Sequence, residues 1–179
     1  MALSVSGANS LKPSKGLGLH STPSITYLEA ASQTFVKGTP LVFTSGGSTV
    51  EQDTSDPAPI VGIAEHAASG TTNDPVRVVP AIPGKVFEGI LGNGDLTDYT
   101  LAQTDVGDVY GLARDATNLG WFVDKQDTAV ANVRVRVVGL RDAAGTVNGR
   151  VYFVFLIATQ DTDDQILIPT TIYAHAAAS

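Results

Sequence analysis

VRVRVVGL (133–140), RDAAGTVNG (141–149) and RVYFVFLI (150–157) follow one another and decide the fold class. In the first run Val133, Val135 and Val137 point one way and Arg134 and Arg136 the other, the period-2 pattern of a half-buried strand. Asn148-Gly149 supplies two residues that tolerate positive φ, as a tight hairpin turn requires. The return run is apolar on both faces: Val151, Phe153, Phe155 and Ile157 on one, Tyr152, Val154 and Leu156 on the other. A strand apolar on both sides needs cover on both sides, from its own domain or from a neighbour. The expected class is therefore all-β, a sandwich or barrel of short antiparallel strands, with a sheet surface available for assembly.

The rest of the chain extends this pattern. ITYLEA (25–30) fits a strand or a helical turn, and FVKGTPLVF (35–43) holds two apolar pieces around Gly38, with Pro40 suited to start an edge strand. IVGIAEHA (60–67), PVRVVPAI (75–82), VFEGIL (86–91), DVYGLA (108–113) and GWFVD (120–124) read as strands, and Asn93-Gly94 as a second hairpin signal. TSGGSTVEQDTSDPAP (44–59) is rich in turn formers and acids and is expected to be an exposed loop. Short strands at close spacing are the signature of a sandwich or barrel. A weak echo relates Val61-Gly62-Ile63-Ala64 to Tyr110-Gly111-Leu112-Ala113, and Arg77-Val78-Val79 to Arg136-Val137-Val138. It implies either chance recurrence of small residues or two similar lobes, about 33–82 and 83–160, within a β domain of residues 25–160.

Residues 1–24 differ in composition, with Pro13 and Pro23 as breakers and Lys12 and Lys15 as the only charges. Two readings stand: a disordered terminus, or an extended arm whose leucines dock on a partner. Residues 161–179 are expected to form a C-terminal tail.

The bulk numbers exclude several classes. The chain has 179 residues, 43% hydrophobic and 16% charged, as a globular protein has. Its formal net charge of −7 argues against nucleic acid and against an anionic membrane surface. It has no cysteine, hence no disulfide, thiolate metal site or cysteine nucleophile. The first residues lack the apolar core of a secretory signal, and the apolar run 151–158 is too short to span a bilayer as a helix.

No constellation for chemistry emerges. His20, His66 and His175 share no metal-ligand spacing. Glu65-His66 has the residue types of a general base but no nucleophile beside it, so a solvated strand end is expected. Asp161, Asp163 and Asp164 lack the glycine and distal glutamate of a calcium loop. Asp95, Asp98, Asp105 and Asp108 are expected to cap turns and keep an edge soluble, and Trp121, in an apolar strand, to be core. No cofactor is expected.

YLEAASQTFVKGTPLVF (27–43), IVGIAEHAASG (60–70), FEGILGN (87–93), TDYTLAQTDVGDVYGLA (97–113), GWFVD (120–124), VRVVGLRD (135–142) and VYFVFL (151–156), taken as an ordered set, resemble the head decoration, or cement, proteins of tailed bacteriophages. The resemblance covers about residues 27–157. It implies a small β domain on the outer surface of the virion capsid, made in the host cytoplasm. It further implies binding to the major capsid protein, self-association as a homotrimer or a dimer, and neither enzymatic activity nor a cofactor. The residues expected to meet partners are Leu3, Val5, Leu11, Lys12, Lys15, Leu17 and Leu19 in the arm, and Tyr152, Val154 and Leu156 on the two-faced strand. A phage tail or surface module recognising a glycan or host protein is the alternative, and a β-barrel hydrolase a third.

Overall fold

A computed structural model describes residues 3–6, 10–14, 23–53, 56–57 and 59–156. The protein is all-β. Its strands are β1 (Lys12–Pro13), β2 (Ile25–Leu28), β3 (Pro40–Phe43), β4 (Val50–Gln52), β5 (Gly62–Ala64), β6 (Pro75–Pro80), β7 (Phe87–Gly92), β8 (Val109–Arg114), β9 (Trp121–Asp124), β10 (Val135–Leu140) and β11 (Arg150–Phe155). A 3-10 turn at Gln103–Asp105 is the one helical element among the described residues.

The second half of the chain closes into a barrel. Neighbours run β7–β11–β10–β8–β9, all antiparallel, and β9 returns parallel to β7 through Leu91↔Val123 and Gly92↔Asp124. Its interior follows the alternation of the opening stretch: Val135, Val137, Val151, Phe153 and Phe155 are buried. Phe87 stacks on Phe153 at 6.0 Å and meets Phe155 edge-on at 5.0 Å. Such ring pairs add about 0.5–1.5 kcal/mol each beyond the area they bury.

The first half repeats that topology. Its order is β2–β6–β5–β3–β4, again antiparallel, and the end of β2 returns parallel to β4 through Glu29↔Val50. The local details repeat as well. Gly38 (φ +87°) precedes β3 and donates its N–H to Ala64 of β5, while Gly107 (φ +101°) precedes β8 and donates to Val137 of β10. Glu29 N–H donates to Asp74, and Leu91 N–H to Gly149. The pairings then set Leu28 against Ile90, Val50 against Val123, Ile63 against Arg136, Val78 against Phe153 and Val79 against Val154. The sequence echo is not this repeat: it aligned β5 with β8 and β6 with β10, whereas topology matches β5 to β10 and β6 to β11.

The two halves are not separate bodies. Ile60, Ile63, Val79 and Ala81 of the first half belong to the same packed cluster as Phe87, Trp121 and Phe153 of the barrel. The first half keeps a smaller core of its own around Phe35, Leu41, Val50, Val76 and Val78.

Several expectations need correction. The hairpin between β10 and β11 does not turn at Asn148-Gly149; its loop is 141–149, with Gly145 at φ +92°. Asn148 instead pairs with the 98–101 segment, its N–H donating to Tyr99 O, and a Cβ on Gly149 would meet Leu101 at 2.5 Å. Asn93-Gly94 makes a local turn, with Leu96 N–H bonded to Asn93 O, but joins no hairpin. The 44–59 stretch is not simply an exposed loop: it contains β4, with Val50 fully buried. β3 is internal, flanked by β5 and β4, not an edge. Arg134 does not face solvent: it is buried, and its guanidinium donates to the carbonyls of Asp56, Pro57, Ala131 and Val133.

The N-terminal residues that are described form no free arm. Leu3, Val5 and Leu11 are 5%, 0% and 1% exposed. Val5 N–H donates to Asp115 and its carbonyl accepts from Gly120. Ser10 lies between the halves, its Oγ donating to Gly38 O and accepting from Trp121 N–H. β1 then pairs with β7. Scattered leucines that resemble a loose tail thus fill the seam beside β7 and β9, because the burial they gain lies far along the chain.

Candidate docking face on the barrel

β11 buries every second side chain, so the alternate set lies outside: Tyr152 and Val154, then Leu156, all half-buried. On β10 the outward residues are Arg136, exposed, and Val138, 43% exposed. A bulge between Val137 and Gly139 sets two residues of β10 opposite Tyr152 and turns Val138 to the surface. On the other side of β11, Tyr152 pairs with Glu88 of β7. The Glu88 carboxylate receives Lys12 at 2.8 Å, Arg141 at 2.9 Å and Arg150 at 3.3 Å. Three cations on one largely buried carboxylate leave the rim of this face positive. An apolar centre with a cationic rim suits contact with an apolar, acidic protein surface.

This places the residues expected to bind partners. Tyr152, Val154 and Leu156 do share one outer face. Lys12 lies at its edge, tied to Glu88. Leu3, Val5 and Leu11 are core residues and are not available to a partner. Lys15, Leu17 and Leu19 lie outside the described residues, as do His20, His175 and the Asp161–Asp164 cluster.

Two polar clusters inside the fold were not expected from sequence. Asp105, fully buried, takes an ion pair from Lys125, a hydrogen bond from Tyr99 Oη at 2.8 Å and the Ala102 N–H at 2.8 Å. Lys125 also lies over the rings of Tyr99 and Tyr110, at 5.2 and 5.1 Å. Burial alone would raise the Asp105 carboxyl, yet these donors hold it below the usual carboxylate range. Burial likewise pushes the Tyr110 hydroxyl up to about 12. The cluster pins the 3-10 turn to β8 and β9. Asp105 is therefore a buried anchor and not a solubilising edge residue, whereas Asp95 caps a turn at Thr97 as expected.

The second cluster holds Asp56, which accepts the Leu112 N–H at 2.7 Å beside Asp127 and Arg134. Burial, with Asp127 adding to it, pushes its carboxyl up to about 6. Asp127 in turn is held by Asn132 Nδ2 at 3.0 Å. Among the described residues no group of three His, Asp or Glu side chains has the arrangement of a metal site. His66 is half-buried, and its ring is used locally: Nε2 accepts from Arg77 N–H at 3.0 Å and Nδ1 donates to Ala67 O at 2.9 Å. Trp121 is fully buried, as expected, and offers no stacking platform.

Comparison with protein-family models and with curated proteins finds no match to this chain.

Proposed function

We propose that this protein is a head decoration protein, binding the major capsid protein lattice on the outside of a bacteriophage capsid and stabilising the shell, without enzymatic activity or cofactor. It acts as a homo-oligomer, taken as a trimer. The observation that carries this reading is the outer β10–β11 face, where Val138, Tyr152 and Val154 stand beside cations in a chain of net charge −7. The ordered resemblance over residues 27–157 supports it. A decoration protein needs an inert scaffold and modest contacts repeated over a lattice, since neighbouring contacts raise effective concentration.

The test is co-sedimentation of the purified chain with matching empty capsids, followed by heating. Saturable binding and a raised capsid disruption temperature are expected. Absence of binding overturns the proposal, and selective retention on a glycan array in its place moves the protein to the tail-module class.

A further inference from the structure

The internal repeat makes the barrel's outer face interpretable. Within one chain the outer face of β5–β6, with Ile63, Val79 and Ala81, is buried against the barrel. The repeat maps Val79 onto Val154 and Ile63 onto Arg136, so the counterpart of that buried face is the outer face of β10–β11. One chain has no third half to cover it. We propose that this face seats the N-terminal half of a second copy, so that copies associate head to tail through a version of the contact that already joins the two halves of one copy.

The N-terminal half offers an open apolar position. Leu28 on the outside of β2 is 44% exposed, and among the described residues nothing covers it as Leu3 and Val5 cover its counterpart Ile90, which is 7% exposed. Charge favours the same order. Residues 25–82 hold six acids against two cations, while Lys12, Arg136, Arg141 and Arg150 gather on the β10–β11 side against Glu88 and Asp142. Replacement of Ile63 by Arg136 at the equivalent position makes this contact more polar than the internal one, as befits an association formed after folding. A heterologous contact of this kind closes into a ring or continues as a filament, according to the rotation it imposes.

The proposal gives the self-association above a surface and a direction. It rests on the repeat, and its assay contains no capsid, so the two readings fail separately. Sedimentation velocity on the full chain at up to about 100 µM, a range that detects weak association, is compared with Val154→Glu on the donor face and Leu28→Glu on the receiving face. The unaltered chain is expected to sediment above the monomer and each variant as a monomer. An equal mixture of the two variants should form a one-to-one dimer, because each retains one intact half of the contact. Arg136→Glu, at an exposed position, repeats the donor test with no change to the apolar packing. A monomeric unaltered chain overturns the proposal, as do variants that remain assembled. Monomeric variants whose mixture stays monomeric overturn the head-to-tail order.

Discussion

Gly38 and Gly107 occupy the same place in the two halves of this chain, each at positive φ, each one residue short of the strand's first partner-facing segment, and each bonded to the fourth strand of its half. Their surroundings differ. A Cβ on Gly107 would meet nothing within 4 Å, while one on Gly38 would lie 2.5 Å from Leu11 O and 2.7 Å from Ser10 Cβ. Gly107→Ala should therefore cost only backbone strain, about 1–2 kcal/mol. Gly38→Ala should cost that and displace the N-terminal segment, roughly 3 kcal/mol or more. Equal shifts of the two variants in urea melts would show that the segment is not held at Gly38.

Removal of the N-terminal segment should damage the fold. Leu3, Val5 and Leu11 are buried, and each such side chain contributes about 1.5–3 kcal/mol. Loss of all three approaches the whole stability of a typical domain, about 5–15 kcal/mol. A chain lacking residues 2–13 is expected to be insoluble or to lose cooperative melting, and Leu11→Ala alone to cost about 2–4 kcal/mol. Differential scanning calorimetry reads both; an unchanged melt of the truncated chain contradicts the seam described above.

The raised carboxyl of Asp56 sets a pH signature. Its native pKa, about 6, lies above the ordinary 3.8, so between these values the native state holds a proton that the unfolded chain has released. Stability from this group therefore falls as pH rises from about 4 to 6 and stays reduced above that. Asp56→Asn keeps an acceptor for Leu112 N–H and can donate to Asp127. It should stabilise the protein by about 1 kcal/mol at pH 7.5 and leave it unchanged near pH 4, after allowance for solvent screening. Asp105 and Asp115, whose pKa values are lowered because hydrogen bonds outweigh burial, act in the opposite sense: their contribution is present above the ordinary carboxylate range and is lost as pH falls below it. Chemical denaturation of both chains from about pH 2 to about pH 8 separates the two signs.

Lys125→Met should leave Asp105 buried without its cation and cost about 3–5 kcal/mol. Asp105→Asn in the same background should restore part of that loss. A double variant as unstable as the sum of the single variants would show that the two residues are not coupled.

Strand positions were largely legible because alternation is local: Val151, Phe153 and Phe155 are inward as their spacing requires. Turn chemistry misled where a residue served a distant partner. Asn148-Gly149 has the composition of a hairpin tip but meets Tyr99 and Leu101 instead. The N-terminal segment was misread because its leucines carry no periodicity, and nothing near them in sequence shows that Trp121 and Gly120 will close over them. The repeat was hidden because equivalent positions hold unlike residues, such as Ile63 and Arg136, and only paired backbone geometry identifies them. Of the candidate face, Tyr152, Val154 and Leu156 were legible from alternation, whereas the three cations around Glu88 come from β1 and from the two ends of the 141–149 loop, far from Glu88 in the chain.

The barrel's strand order has a bearing on biosynthesis. β11, the last described strand to leave the ribosome, sits between β7 and β10, so the ring cannot close until synthesis has passed residue 155. The N-terminal half needs only residues up to 80 to complete its own pairings and is free to form early. The segment before β2 must wait for distant partners: Val5 requires Asp115 and Gly120, and β1 requires β7. Contacts so distant in sequence make for slow folding, on the order of milliseconds to seconds in β proteins of high contact order. During that interval Leu3, Val5 and Leu11 are uncovered on a nascent chain, which leaves this segment open to aggregation during synthesis.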